Sequence, residues 1–131
     1  MKTLLTTIIA ATICLFYSSC KKDNKSDPNS FEVEYKIAPV SNAIVKITYN
    51  DQARAPVVVF DAADFQNGAK KITVSAKPFT ARIETEVSNQ GNVPIVFDLY
   101  ILVDGQFKKL SNCNAPPMTP STITVAEYTV Q

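Results

Sequence analysis

FTARIETEVS, residues 79–88, sets Phe79, Ala81, Ile83, Thr85 and Val87 on one side of an extended chain. Thr80, Arg82, Glu84, Glu86 and Ser88 fall on the other. Successive side chains of a strand point to opposite faces, so this stretch reads as a strand with one face on a core and one in water. Helical spacing would scatter the charges around the axis.

The same period runs outward in both directions. In FEVEYKI, Phe31, Val33, Tyr35 and Ile37 oppose Glu32, Glu34 and Lys36. In AIVKITY, Ala43, Val45, Ile47 and Tyr49 share a face. Ile72, Val74 and Ala76 alternate with Lys71, Thr73 and Ser75. Val93, Ile95, Phe97, Leu99, Ile101 and Val103 make the longest apolar face, and Phe107 and Leu110 follow on the next strand. PVVVF at 56–60 is a continuous apolar run, which predicts a short strand buried on both sides. In STITVAEYTV the parity changes between Val125 and Tyr128, which predicts a β-bulge near Ala126 and Glu127.

Turn chemistry separates the strands. Asn67-Gly68, Asp104-Gly105 and Asn89-Gln90-Gly91-Asn92 are turn signals. Pro39, Pro78 and Pro94 fit strand ends. Ala115-Pro116-Pro117 with Pro120 predicts an irregular polyproline-type connection, with Cys113 in a loop just before it. Asp61 to Phe65 allows one helical turn at most. The expectation is an all-β fold: one antiparallel immunoglobulin-like sandwich of about seven to eight strands over 31–131. A lipocalin-type barrel usually takes more chain.

The N-terminus has another character. MKTLLTTIIAATICLFYSSC carries Lys2, an uncharged apolar stretch from Leu4 to Tyr17, and then Ser18-Ser19. That pattern predicts an export signal over 1–19. It is too short for a comfortable membrane-spanning helix, which takes about 20 apolar residues. YSSC resembles a lipobox, with Tyr17 where leucine is commonest. The resemblance implies cleavage between Ser19 and Cys20 and acylation of Cys20. Acyl chains bury methylenes at about 0.8 kcal/mol each, enough to hold the chain to a membrane. KKDNKSDPNS, residues 21–30, then reads as a polar tether. The expected location is the cell envelope, at the outer membrane.

The chain holds 13 basic and 12 acidic residues and no histidine or tryptophan. Lys2 is the one basic residue in 1–19, so charge is balanced beyond it. There is no basic stripe for nucleic acid. The missing histidine excludes Ser-His-Asp triads, Cys-His dyads and imidazole metal sites. Paired carboxylates remain: Glu84 with Glu86, and Glu32 with Glu34, each about 7 Å apart along a strand. Glycosidase-type work needs such a pair; the solvent face of a half-exposed sheet uses the same pattern, with Arg82, Lys71 or Lys36 as cross-strand partners. Asp51, Asp61 and Asp64 lack the spacing of a calcium loop. No catalytic residue, metal or cofactor is expected. Of the three cysteines, Cys14 would leave with the signal and Cys20 would be acylated, which leaves Cys113 as a small hydrophobe.

FEVEYKI, IVKITYND, KKITVSAKPFTARIETEV and FDLYILVDGQFKKL together are similar to MmpS-like proteins, across most of 31–110. The resemblance implies an immunoglobulin-like sandwich and an accessory role beside an envelope transporter. It implies no active-site residues, and those proteins carry a membrane helix where this chain has a lipobox. Three functions stay open. The sandwich could bind a protein partner or assist an envelope assembly, through the exposed strand edge beside the proline-rich segment. It could be a carbohydrate- or ligand-binding surface module using Tyr100, although packing against another strand would occupy that ring equally well. It could be a hydrolase using a glutamate pair.

Overall fold

The computed structural model describes residues 27–131, apart from 61, 63 and 64. The expected signal segment, Cys20 and most of the expected tether lie outside the described residues. Asp27 organises the entry to the first strand, accepting Ser30 N–H on its carbonyl and Asn29 N–H on its carboxylate.

Eight strands follow: β1 Phe31–Ala38, β2 Ile44–Asn50, β3 Pro56–Val59, β4 Ala69–Val74, β5 Phe79–Asn89, β6 Ile95–Val103, β7 Gln106–Ala115 and β8 Thr119–Val130. They form two antiparallel four-stranded sheets in the orders β4-β1-β6-β7 and β3-β2-β5-β8. The sandwich expected from the alternation is therefore the fold, with eight strands. Its inward positions on β1, β5 and β6 are those the sequence predicts: Phe31, Val33, Tyr35 and Ile37; Phe79, Ala81, Ile83, Thr85 and Val87; Phe97, Leu99, Ile101 and Val103.

Tyr35 is fully buried, and its hydroxyl crosses to the other sheet and donates to the Asn50 carbonyl at 2.8 Å. Its ring lies 5.5 Å from that of Tyr49, which meets Phe65 edge-on at 5.6 Å. Such pairs add about 0.5–1.5 kcal/mol beyond the area they bury. Burial pushes the Tyr35 hydroxyl well above the ordinary tyrosine range, with Tyr49 and Asp51 adding to the effect.

Two turns take the conformations their residues suggest. Asp104 and Gly105 have φ of 50° and 72°, and they join Val103 to Gln106 as a two-residue hairpin. The Asp104 carboxylate also accepts Glu32 N–H at 2.8 Å, tying this turn to β1. Gly68, at φ 76°, sits where a Cβ would come within 2.5 Å of the Ile37 carbonyl oxygen, so only glycine fits. At the other loop, buried Asn89 donates to the carbonyls of Val93, Ala115 and Pro116 and accepts Gly91 N–H.

Several expectations are corrected. β3 is an edge strand, not one buried on both faces: Val58 is 47% exposed and the following Phe60 76%. β2 carries a bulge between Ile44 and Lys46, which turns Ile44 inward and Val45 outward. β8 pairs with β5 without interruption through Ala126 and Glu127. Its irregularity lies opposite Val87 to Asn89 instead. Ala126 is the inward residue there, and Ile123 is exposed. A small alanine fills the inner layer while larger residues face out, which size-blind alternation misreads. Val93 and Ala76 lie beyond their strand ends and are exposed. Cys113 is in β7, paired across to Phe97 and fully buried, and the proline-rich connection shrinks to a turn between Ala115 and Thr119.

Thr85 occupies an inward position on β5, and its hydroxyl has no hydrogen-bond partner. A buried hydroxyl without a partner costs on the order of 1–3 kcal/mol. Thr85→Val is expected to raise the unfolding free energy by about 1 kcal/mol in urea denaturation.

Candidate binding face

The even-numbered residues of β6 leave the core: Val96, Asp98, Tyr100 and Leu102. β7 supplies their cross-strand neighbours, Asn114, Asn112, Leu110 and Phe107 in that order. Regular alternation would put Phe107 and Leu110 on opposite faces, since they are three residues apart. A register shift between Ile101 and Leu102 skips Lys108, so Phe107 pairs with Leu102 and joins Leu110 outside. Phe107 is 59% exposed and Leu110 39%. Its ring meets Tyr100 edge-on at 6.5 Å.

Polar groups border this strip. The Tyr100 hydroxyl donates to Asp98 Oδ2 at 3.0 Å, and Asn112 Nδ2 donates to the other carboxylate oxygen. The hydrogen bond to Asp98, with some desolvation, holds the Tyr100 hydroxyl above its ordinary pKa. Across the same sheet the face becomes ionic, with Lys71 Nζ 2.8 Å from Glu32 and 3.6 Å from Glu34. The apolar strip is therefore confined to the β6–β7 half. β7 is the edge strand that leads into Ala115-Pro116-Pro117, so the strip adjoins the segment singled out from sequence.

The carboxylates sit elsewhere, on the outer faces of the sheets. Lys46 lies 2.6 Å from Glu86, and Arg82 bridges Glu84 at 2.8 Å and Glu127 at 3.1 Å. Lys46, and after it Ser121, hold the Glu86 carboxyl below the usual glutamate range. Lys71 is a cross-strand partner as expected; Arg82 meets Glu84 along its own strand and crosses only to Glu127, and Lys46 takes the part suggested for Lys36. Asp51 caps the β2–β3 turn, accepting Ala53 and Ala55 N–H at 2.9 Å. Asp61 and Asp64 lie outside the described residues, among which no group of potential metal ligands converges. An open depression of about 390 Å³ between Phe31, Lys77, Asp104, Lys108 and Tyr128 lies at the end where the chain enters. No described helix is long and apolar enough to cross a membrane.

The bulge is what the sequence reading missed. Its one signal is the i, i+3 spacing of Phe107 and Leu110 astride Lys108-Lys109, which strict alternation cannot place on a single face. No protein-family model and no curated protein matches the chain.

Because the Asp98 carboxylate favours the neutral phenol, Asp98→Asn is expected to lower the pKa at which Tyr100 ionises. Titration of its ring carbon by NMR checks this: Tyr100 should ionise at lower pH in the variant. Stability owed to this pair is present below the ordinary tyrosine pKa of about 10 and lost as pH rises through the folded value.

Proposed function

We propose that this chain is an envelope lipoprotein, cleaved after Ser19 and acylated on Cys20. Its sandwich is a non-catalytic module that binds a protein partner. The observation that carries the reading is the strip of Tyr100, Leu102, Phe107 and Leu110 on the outer face of β6 and β7. Aromatic side chains in water on a rigid sheet, rimmed by Asp98, Asn112 and Asn114, have the composition of a protein contact patch. Tyrosine and phenylalanine bring contact area at little cost in side-chain entropy. The glutamates support no competing chemistry, since each is held in an outward ion pair by lysine or arginine. A resident of the outer membrane, held by its N-terminus, could present this strip to another envelope component. The strand pattern shared with MmpS-like proteins makes a transporter one such component.

A second reading is favoured by one contact. Asp98 and Asn112 stand beside the Tyr100 ring. Sugars are bound by an aromatic surface for the C–H face and planar polar groups for the hydroxyls. A glycan ligand fits the same strip.

Placing a photo-crosslinking residue at Phe107, and separately at Thr73 on the ionic half, tests the first reading in cells. One discrete adduct with another protein is expected from position 107 only. Adducts from both positions alike, or from neither, would overturn it, and saturable glycan binding lost in Phe107→Ser would favour the second. For the anchor, labelled palmitate is expected to enter the wild-type chain and not Cys20→Ser.

A further inference from the structure

The two ends of the sandwich differ in charge. Away from the chain entry, the connections 39–43, 90–94 and 116–118 hold no charged residue. At the entry end the turns carry Asp27, Asp51, Arg54, Lys77 and Asp104, and Lys108 stands near the start of β7. The signs balance in number but not in placement. Each carboxylate is held against the chain by backbone N–H groups: Asp27 by Asn29 at 3.0 Å, Asp51 by Ala53 and Ala55 at 2.9 Å, and Asp104 by Glu32 at 2.8 Å. Arg54, Lys77 and Lys108 form no ion pair among the described residues, where Lys46, Lys71 and Arg82 take the carboxylates.

Lys77 is exposed, with its Nζ 5.7 Å above the Phe31 ring. The depression of about 390 Å³ that holds Lys77 and Lys108 adjoins a second, of about 450 Å³, that reaches Asn29, Ser30 and Ser75. The two share Phe31, Lys77 and Asp104. Lys108 Nζ donates to the neutral Gln106 side chain at 3.1 Å, so its charge is not offset there. Ammonium groups beside hydroxyls in an open polar depression suit the phosphate of a lipid headgroup.

We infer that the entry end of the sandwich docks on an anionic lipid surface, with headgroup phosphates at Lys77 and Lys108. The length of chain before the first described residue points to this occupant. Given acylation at Cys20, on which the inference rests, six residues, KKDNKS at 21–26, separate the lipid from Asp27. They reach at most about 25 Å. The 12-residue β8 alone is roughly 40 Å long, so the entry end is the part of the domain that the bilayer meets. Lys21, Lys22 and Lys25 add three cations on that side against Asp23. Basic side chains are drawn to anionic headgroups only within a Debye length, about 8 Å at physiological salt. Docking brings Lys77 and Lys108 into that range and leaves the β6–β7 strip on a side wall, open to a partner.

The test uses the chain purified from cells in its acylated form, in vesicles of phosphatidylcholine alone or mixed with phosphatidylglycerol. Spin-labelled headgroups quench a fluorophore attached through Gln52→Cys at the entry end or Asn92→Cys at the other; both positions are exposed, and Cys113 is fully buried and does not compete. With phosphatidylglycerol, quenching at 52 is expected to exceed that at 92 several-fold. The difference should shrink on phosphatidylcholine alone, in high salt, and in Lys77→Glu or Lys108→Glu. Lys36→Glu, an equal change of charge on the outer face of β1, should leave it in place. A difference that is the same on both vesicles and unmoved by Lys77→Glu and Lys108→Glu, as a passively tethered domain gives, overturns the docking alone. A chain that does not stay with the vesicles overturns acylation at Cys20, and the docking with it.

Discussion

Tyr35 carries a hydroxyl into a layer that is mostly hydrocarbon, and that hydroxyl has one acceptor, the Asn50 carbonyl at the end of β2. Apolar faces tolerate many offsets between two sheets. A buried hydroxyl tolerates few, because losing its partner leaves the full desolvation cost unmet. The bond joins β1 of one sheet to β2 of the other, and it sets how far one sheet slides over its neighbour. Phe31 against Phe79, at 6.2 Å, and Tyr49 against Phe65 then close the space on either side.

Everything outward follows from that alignment. With the sheets in place, the alternate residues of each strand are committed to solvent, and their chemistry sorts by region. The outer face of β2, β5 and β8 is crossed by the ion pairs of Lys46 with Glu86 and of Arg82 with Glu84 and Glu127. On the other sheet Lys71 serves two glutamates, and beyond it the surface turns aromatic. Exposed pairs of this kind contribute little to stability, about 0–1 kcal/mol. Beyond them, the Tyr100–Phe107 strip brings two aromatic rings together on the outer face of the β6–β7 half.

Strict alternation in β1, β5 and β6 made their inward faces legible from sequence, because charged and polar residues mark nearly every outward position of β1 and β5 and large apolar ones fill the inward positions of β6. Asp104-Gly105 was legible for a related reason: positive φ at both positions suits few other pairs. Legibility ended where position in the sheet matters more than composition. PVVVF has the residues of a central strand, yet β3 lies at an edge, and nothing local says how many neighbours a strand acquires. The outward turn of Val45 and of Phe107 depends on bulges, each adding one unpaired residue that resets parity. In β8 the layer needed a small side chain at Ala126, so the bulkier Ile123 took the outer face. Tyr100 was legible as outward-facing, but the ring it meets comes from across the bulge.

The ionisation of Tyr35 tests the sheet alignment most directly. With the hydroxyl sealed between the sheets, its ring-carbon NMR signal should not move as pH passes through the ordinary tyrosine range near about 10, while the chain remains folded. The unfolded chain alone releases that proton there, so stability should decline as pH rises beyond it. A Tyr35 that ionises near pH 10 in the folded protein would place its hydroxyl in water and contradict the inter-sheet contact.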